Sequence, residues 1–240
     1  MEQEVNRLVD KAWAKFLSTP PSTRLMIAIS GIPGSGKTSL ASIMAKRIND
    51  TYLASHPADS APTPIATAVS MDGYHLSRAQ LAAMPEPAYA IARRGAAFTF
   101  DPVKFLHLVR ALREPLTANS PTLYAPSFDH AVKDPVEDDV PIPASARVVF
   151  FEGNYLSLDK EPWNVAARLM DELWFVEVDF ETARRRLVDR HVKAGIARDA
   201  EEANRRALEN DLVNGREIVE WRMEGVAEVI VSREDDGWRV

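Results

Sequence analysis

The strongest constraint on the fold is one stretch near the start of the chain, which reads RLMIAISGIPGSGKT over residues 24–38. Residues 25–29 form a short apolar run, typical of a strand that is buried on both faces. The segment after it matches the pattern G-x-x-x-x-G-K-[ST] from Gly31 to Thr38. Residues 39–48 then carry apolar side chains at helical spacing. A strand, a glycine-rich turn and a helix in this order predict a phosphate-binding loop rather than an ordinary turn.

Each residue type in this loop has a chemical role in binding a nucleotide. Glycines let consecutive backbone N–H groups curl around phosphate oxygens, because no Cβ blocks the approach. Lys37 can reach the β- and γ-phosphates, and the Thr38 hydroxyl can bind Mg²⁺. The following helix points its positive N-terminal end at the anion. The predicted ATP-binding residues are Gly31, Pro33, Gly34, Ser35, Gly36, Lys37, Thr38 and Ser39.

Composition narrows the class of protein. The chain has 240 residues, of which 46% are hydrophobic and 27% are charged, so we expect one globular domain over 1–240. Its 29 basic and 35 acidic residues give a net charge of −6, which argues against nucleic-acid binding. The absence of cysteine excludes disulfides and thiolate metal sites. No apolar run approaches the roughly 20 residues of a membrane helix, so the predicted compartment is the cytoplasm, without membrane contact.

Two acidic residues follow predicted buried strands. Asp72 comes after a strand predicted over 65–71, in the sequence MDGYH, and Glu152 ends the apolar run RVVFF over 147–151. Open α/β sheets bind ligands at the carboxyl ends of their strands, so we expect both acids beside the loop. We interpret Asp72 as catalytic and Glu152 as a Mg²⁺ ligand, direct or through water. The alternatives are a helix cap near Ser77 and a solvated acid at a strand end.

The remaining patterns complete an α/β fold with about five parallel strands in a three-layer sandwich. They predict an amphipathic helix over 4–17, a surface loop over 50–64, and further strands over 173–178 and 226–231. A helix predicted over 102–113 has four side chains that we expect to be buried: Val103, Leu106, Val109 and Leu112.

Two regions are predicted to close over the site. Residues 119–143 contain five prolines and no helical period, which favours a β-hairpin-like insertion. Residues 184–210 predict a lid, because two helices flank a break at 194–198 and Arg186 and Arg190 share one helix face. A solvated basic face is the alternative for these arginines. Arg93 and Arg94 lie in a basic turn and could hold phosphate or pair with local acids.

The ordered set of motifs resembles the phosphoribulokinase/uridine kinase family of P-loop small-molecule kinases. The likeness extends from residue 24 to residue 230. It rests on GIPGSGKT, MDGYH, RRGAAFTFD, YAPSFDHAVKDP, FFEGNY and RRRLVDRH. Uridine kinases commonly carry DSFY where this chain has DGYH. That form is more similar to pantothenate kinase and to uncharacterised fungal and bacterial kinase-like proteins, and the EGNY turn is also similar to plant-type glycerate kinase.

The resemblance implies transfer of the γ-phosphoryl of ATP, with Mg²⁺, to a hydroxyl of a small metabolite such as a nucleoside, a vitamin precursor or a sugar-like acceptor. Asp72 would be the base, and Lys37 would neutralise the phosphates. The lid arginines that would contact ATP are Arg186, Arg190 and Arg198. The residues that would form the acceptor pocket are Asp72, Tyr74, His75, Arg93, Tyr124, Phe128, Asp129, His130 and Asn154.

Two other classes of function compete with a kinase. One is a regulatory or assembly NTPase that transfers the phosphoryl group to water, but it does not need the pocket wall that residues 119–143 would supply. The other is a nucleotide-binding interaction module without turnover. It is disfavoured by the presence together of Lys37, Thr38, Asp72 and Glu152. Enzymes of this size often form homodimers, so a homodimer stays an open alternative.

Overall fold

The computed structural model describes residues 2–56, 63–129 and 131–233. Its helices are α1 (Glu2–Ser18), α2 (Lys37–Ser55), α3 (Arg78–Ala82), α4 (Pro87–Ala92), α5 (Pro102–Arg113), α6 (Trp163–Ala167), α7 (Phe180–Lys193), α8 (Ala200–Arg206) and α9 (Leu212–Glu220). Its strands are β1 (Leu25–Gly31), β2 (Ala66–Ser70), β3 (Leu123–Asp129), β4 (Asp134–Ile142), β5 (Val148–Gly153), β6 (Glu172–Glu177) and β7 (Glu228–Val231). A 3₁₀ turn, Met71–Tyr74, follows β2, and a π-helical turn, Ala207–Asp211, joins α8 to α9.

The central strand β1 is buried along its whole length and lies in a five-stranded sheet of order β2-β5-β1-β6-β7. Its pairings with β5 and β6 are parallel, as are those of β2 with β5 and of β6 with β7. Leu25, Ile27 and Ile29 face one hydrophobic core, whereas Met26 and Ala28 face the other. This explains why the strand reads as a continuous apolar run. The predicted parallel sheet is confirmed.

Helices cover both faces of the sheet. On one face, the core contains buried side chains of α1 and α2, among them Leu8, Leu40 and Met44. On the other face it contains side chains of α5, α6 and α7, among them Phe105 and Leu187. The result is the predicted three-layer α/β sandwich.

The predicted β-hairpin is also present. Strands β3 and β4 pair in antiparallel fashion, with an irregularity between Ala125 and Ser127. Its tip is an Asx-type turn, since Asp129 Oδ1 accepts hydrogen bonds from the backbone N–H groups of Ala131 (2.7 Å) and Val132 (3.1 Å). Ala125 and Ile142 anchor the hairpin in the hydrophobic core.

Three local expectations are wrong. The loop predicted over 50–64 begins later, because α2 continues to Ser55; the prolines that suggested a loop start at residue 57. Val103 is exposed, and α5 buries Phe105 and Leu108 beside the other three predicted positions, so its buried stripe is rotated. The helix after the break at 194–198 does not end at residue 210, because the π-helical turn connects α8 directly to α9.

No helix within the described ranges combines the length and the apolar character that a membrane span requires.

Candidate active site

The phosphate-binding loop connects the end of β1 to the start of α2. Gly34 and Gly36 have φ angles of 82° and 92°, in the left-handed region that favours glycine. A Cβ on Gly34 would also lie 2.9 Å from the carbonyl oxygen of Ala183 in α7. Gly36 occupies the N-cap position of α2 and has no side chain to cap it. The loop therefore presents the free amides of a 19-residue helix as an anion site.

Glu152, at the end of β5, lies directly beside this loop. Its Oε2 accepts a hydrogen bond from Thr38 Oγ1 (3.0 Å), and its Oε1 accepts one from Ser70 Oγ (2.5 Å) at the end of β2. Only 5% of its surface is exposed. Burial, and then repulsion by Asp72, raise the pKa of the Glu152 carboxyl, although Lys37 and the two hydroxyls act in the opposite direction. Three strand or helix ends therefore converge on one buried carboxylate.

Lys37 and Asp72 complete a cluster of charges around Glu152. Burial lowers the pKa of the Lys37 ammonium, and attraction to Glu152 and Asp72 only partly restores it. Lys37 is half-buried and lines both cavities of the site. The arrangement holds one cation and two acids at the carboxyl end of the sheet, where open α/β sheets bind ligands.

The turn that carries Asp72 is held from both sides. Ser70 Oγ accepts a hydrogen bond from the Asp72 backbone N–H (3.2 Å), and His75 Nδ1 donates to the Asp72 carbonyl oxygen (2.8 Å). A Cβ on Gly73 would lie 2.0 Å from the carbonyl oxygen of Pro126 in β3. The MDGYH sequence thus needs its glycine because the hairpin backbone lies against this turn.

Asp72 does not cap the helix that follows it. Ser77 occupies the N-cap position of α3, where its side chain accepts a hydrogen bond from the Gln80 backbone N–H. The capping interpretation of Asp72 is therefore wrong. Its carboxylate instead lines the main cavity of the site.

That cavity has a volume of about 410 Å³. It joins the charge cluster to several residues predicted from the sequence, namely Pro33, Lys37, Thr38, Asp72, His75, Phe128, Glu152, Asn154 and Arg190. A second cavity of about 190 Å³ lies along the phosphate-binding loop and is lined by Gly34, Gly36, Lys37, Thr38, Ser39, Arg186 and Arg190. Lys37, Thr38 and Arg190 line both, so a phosphate chain in the smaller cavity would end in the larger one.

The three predicted lid arginines differ in position. Arg186 Nη1 donates to the Gly34 carbonyl oxygen (3.1 Å) and to Ser232 Oγ (2.8 Å), so it already contacts the loop. Arg190 lines both cavities. The Arg198 side chain is 78% exposed and pairs with Asp199 and Glu202, and it lines neither cavity. The structure thus brings two of the three to the site.

Several predicted acceptor residues lie outside the main cavity. The Tyr74 ring is buried in the core, where it packs edge-on against Phe105 at 5.2 Å and burial raises the pKa of its phenol. Tyr124 is exposed on β3, and Asp129 forms the turn at the hairpin tip. Arg93 faces Asn214, whose Oδ1 accepts from Arg93 Nη2 (2.6 Å). His130 lies outside the described residues.

The cavity also contains residues that sequence patterns did not indicate as site residues, namely Lys133, His191, Arg206, Asp211 and Asn214. Arg94 of the predicted basic turn lines the cavity as well, and its guanidinium lies over the Phe128 ring at 5.3 Å. The others come from segments distant in sequence and have no local motif. His191 Nε2 lies 2.8 Å from Asp211 Oδ2, a contact between α7 and the π-helical turn.

The donor set suits a hard cation. Within the described ranges there is no group of three or more His, Cys, Asp or Glu side chains that could hold a metal alone. Thr38 and Glu152 together offer a hydroxyl and a carboxylate, and Mg²⁺ at nucleotide sites takes few protein ligands besides waters and phosphates. Burial first, and repulsion by Asp72 second, raise the pKa of Glu152, and a bound cation would favour the ionised carboxylate against both. These residues fit Mg²⁺.

Comparisons with known proteins agree with this site. The chain is 62% identical over 153 residues to the ATP-dependent kinase-like protein notR' of Aspergillus versicolor, a match that covers 64% of this chain and 89% of that protein. It is 39% identical over 191 residues to the Schizosaccharomyces pombe protein C227.14, provisionally named a uridine kinase, with coverage of 80% and 76%. The crystal structure of YFH7 from Saccharomyces cerevisiae shares the fold, with a TM-score of 0.82 at 24% identity and coverage of 96% and 99%. No family model matches the chain.

The two relatives are named as kinases, and the chain covers most of the length of each. The chain also has a phosphate-binding loop, a buried acid beside that loop and the fold of YFH7. The chain therefore belongs to the phosphoribulokinase/uridine kinase family of P-loop kinases and is an ATP-dependent kinase.

Proposed function

We propose that this kinase transfers the γ-phosphoryl of ATP, as its Mg²⁺ complex, to a hydroxyl group of a small metabolite, with Asp72 as the base. The observation that carries the proposal is one cavity lined by Lys37, Thr38, Asp72 and Glu152 together with the hairpin residue Phe128. The phosphate-binding groups and the Asp72 carboxylate thus line the same cavity as Phe128 of the hairpin. A reaction with water as the acceptor would not need this hairpin residue.

The proposed reaction forms one bond and breaks one. The acceptor oxygen bonds to the γ-phosphorus, and the bond from that phosphorus to the oxygen bridging it to the β-phosphate breaks. The products are a phosphate ester and ADP, and the hydroxyl proton passes to Asp72 and then to solvent. Asp72 also orients the hydroxyl for in-line attack.

The other residues act on the phosphates. Lys37 and the loop amides neutralise the β- and γ-phosphates, and Arg186 and Arg190 stabilise charge on the transferring group. Thr38 and Glu152 would hold Mg²⁺, which would supply positive charge to offset that of the phosphates. Phe128 and His75, whose ring centroids lie 4.9 Å apart, form an aromatic wall on the acceptor side. The cytoplasmic location and the absence of nucleic-acid partners stay predictions.

The test measures ADP release with and without candidate acceptors, namely nucleosides, pantothenate, sugars and glycerate. A kinase for small metabolites releases ADP in proportion to a phosphorylated acceptor. A regulatory NTPase releases ADP and inorganic phosphate at a basal rate that metabolites do not change, and that result would reject the proposal.

A further inference from the structure

Part of the main cavity is formed by segments that do not bind the phosphates. We call it the acceptor wall and define it by the cavity-lining residues Arg94, Phe128, Lys133, Arg206 and Asn214. They come from the basic turn after α4, the hairpin, the end of α8 and the start of α9.

Hydrogen bonds join these segments into one surface. Arg94 donates to the carbonyl oxygens of Lys133 and Leu76, so the basic turn is tied to the hairpin tip. Asn210 Nδ2, in the π-helical turn, donates to the Arg94 carbonyl oxygen (2.9 Å). Arg93 Nη2 donates to Asn214 Oδ1 (2.6 Å) in α9. The basic turn therefore holds the hairpin tip on one side and the α8–α9 junction on the other.

The wall carries positive charge that the described part of the chain does not neutralise. Arg94 pairs with Asp134 at 3.2 Å, so its charge is matched. Asp211, at the end of the π-helical turn, contacts His191 Nε2 at 2.8 Å. Arg206 and Lys133 form no ion pair with any described residue, and Arg206 Nε is buried without a hydrogen-bond partner.

A second buried group beside the wall is also unsatisfied. His191 is only 3% exposed and lines the same cavity, and its Nδ1 has no hydrogen-bond partner within the described structure. Its Nε2 contacts Asp211 in the π-helical turn that directly follows Arg206. Such turns often occur at functional sites. Buried polar groups in folded proteins are normally paired, so these atoms point to a ligand.

We propose that the acceptor carries a carboxylate or a phosphate group in addition to its reactive hydroxyl, and that Arg206 and Lys133 bind this anion. This inference rests on the kinase function proposed above. A neutral acceptor would leave the half-buried Arg206 guanidinium in this cavity without a counter-charge, which is unfavourable, whereas Lys133 is exposed and would add its charge to the same anion. A guanidinium binds carboxylate and phosphate alike through two parallel N–H donors, so it fits either group.

The experiment uses matched acceptors that differ only in the anion: glycerate with glycerol, pantothenate with pantothenol, and ribose 5-phosphate with ribose. Binding is measured by calorimetry in the presence of a non-hydrolysable ATP analogue, and transfer by ADP release. We expect an acidic member to bind at least about tenfold more tightly than its neutral partner, as the loss of a charged hydrogen bond implies. The carboxylate and phosphate arms show which anion is used.

Variants then test the residues. Arg206→Gln should weaken binding of the preferred acidic acceptor by about 10- to 100-fold and leave its neutral partner unaffected. Arg205→Gln is the matched control, because Arg205 is exposed on the same helix and does not line the cavity. ATP affinity should change less than about twofold in both variants.

The outcomes separate this inference from the proposed function. Acidic acceptors that bind through Arg206 but receive no phosphoryl group would support the anion site and reject the kinase reaction. Efficient transfer to neutral acceptors would support the kinase and overturn the anion site. Equal effects of Arg206→Gln and Arg205→Gln, or no binding by any acidic member, would also overturn it.

Discussion

Two buried glutamates on either side of β1 show how a structural acid differs from a functional one. Glu152 in β5 pairs in register with Ile29, and Glu172 in β6 pairs with Ile27. Both face the side of the sheet that α1 and α2 cover, and their exposed fractions are 5% and 9%. Their sequence settings are alike, since each lies in an apolar strand. Their surroundings in the folded structure, however, differ.

The chain neutralises Glu172 completely. Its carboxylate accepts from Trp174 Nε1 (2.6 Å) and Lys15 Nζ (3.0 Å), and Lys11 Nζ lies 3.2 Å away. Burial opposes ionisation, but these hydrogen bonds outweigh it, so the pKa of the Glu172 carboxyl is lowered. This acid ties α1 to the sheet and needs nothing from outside the protein.

Among the described residues, Glu152 instead accepts hydrogen bonds from two neutral groups, the hydroxyls of Thr38 and Ser70, and has Asp72 as a second acid nearby. Its carboxyl pKa moves upward. The difference teaches that a buried acid left without a paired cation marks the position where a ligand completes the structure. The same criterion, with the sign of the charge reversed, identifies Arg206 in the acceptor wall.

The largest expected effect comes from Lys37→Ala, which removes the chain's own cation from the Glu152 side. We expect kcat/KM for ATP to fall by about 10²- to 10³-fold, because a charged contact to the transferring phosphates is lost. The control is Lys46→Ala, at an exposed position on the same helix. Wild-type-like turnover in Lys37→Ala, with the protein folded, would contradict the phosphate-binding assignment.

Glu172→Gln should produce the opposite result, a loss of stability without a loss of activity. We expect the free energy of unfolding to fall by about 1–3 kcal/mol, since the buried Trp174 indole and two partly exposed lysines lose a charged acceptor. Urea denaturation measures this change, and ATP turnover below the unfolding transition should match wild type. A variant that folds as stably as wild type but loses turnover would reverse the assigned roles.

A smaller effect concerns pH and follows from the opposite pKa shifts. Folded Glu152 keeps its proton above the ordinary value of 4.5, so wild-type stability falls as pH rises through the window above 4.5. Folded Glu172 loses its proton below 4.5, so wild-type stability falls as pH drops through the window below 4.5. Relative to wild type, Glu152→Gln should become more stable as pH rises, and the cost of Glu172→Gln should shrink in acid.

Urea unfolding of nucleotide-free wild type and both variants, at several pH values above and below 4.5, measures these two differences in stability. Parallel pH profiles for the two variants would show that the environments of the two acids do not differ as described.

The fold and the phosphate side of the site could be predicted because their signals are contiguous in sequence. The loop from Gly31 to Thr38 is one motif, and Asp72 and Glu152 each follow an apolar run that topology places at the same edge of the sheet. Local periodicity also predicted the amphipathic helix over 4–17, which the structure contains as α1. Short helices such as α4 carry too few residues for a period to show.

The acceptor side could not be predicted to the same extent, because its residues meet only in the folded chain. Lys133, Arg206 and Asn214 are separated by up to 81 positions and belong to no local pattern. The family resemblance implied Tyr74 as a pocket residue, but the 3₁₀ turn directs its ring into the core. Neighbours in a turn point in different directions, which sequence spacing does not show.

The most direct test of the account is the substitution Asp72→Asn, followed by kcat for the identified acceptor and nucleotide affinity. The asparagine keeps the size and most of the hydrogen bonding of the side chain but cannot accept the proton. The ATP contacts proposed above are the loop amides and Lys37, so the ATP affinity of this variant should stay near that of wild type. The account predicts that acceptor phosphorylation falls by at least roughly 100-fold. A retained kcat would contradict the role of Asp72 as base, and a parallel collapse of ATP affinity would place it in the metal site instead.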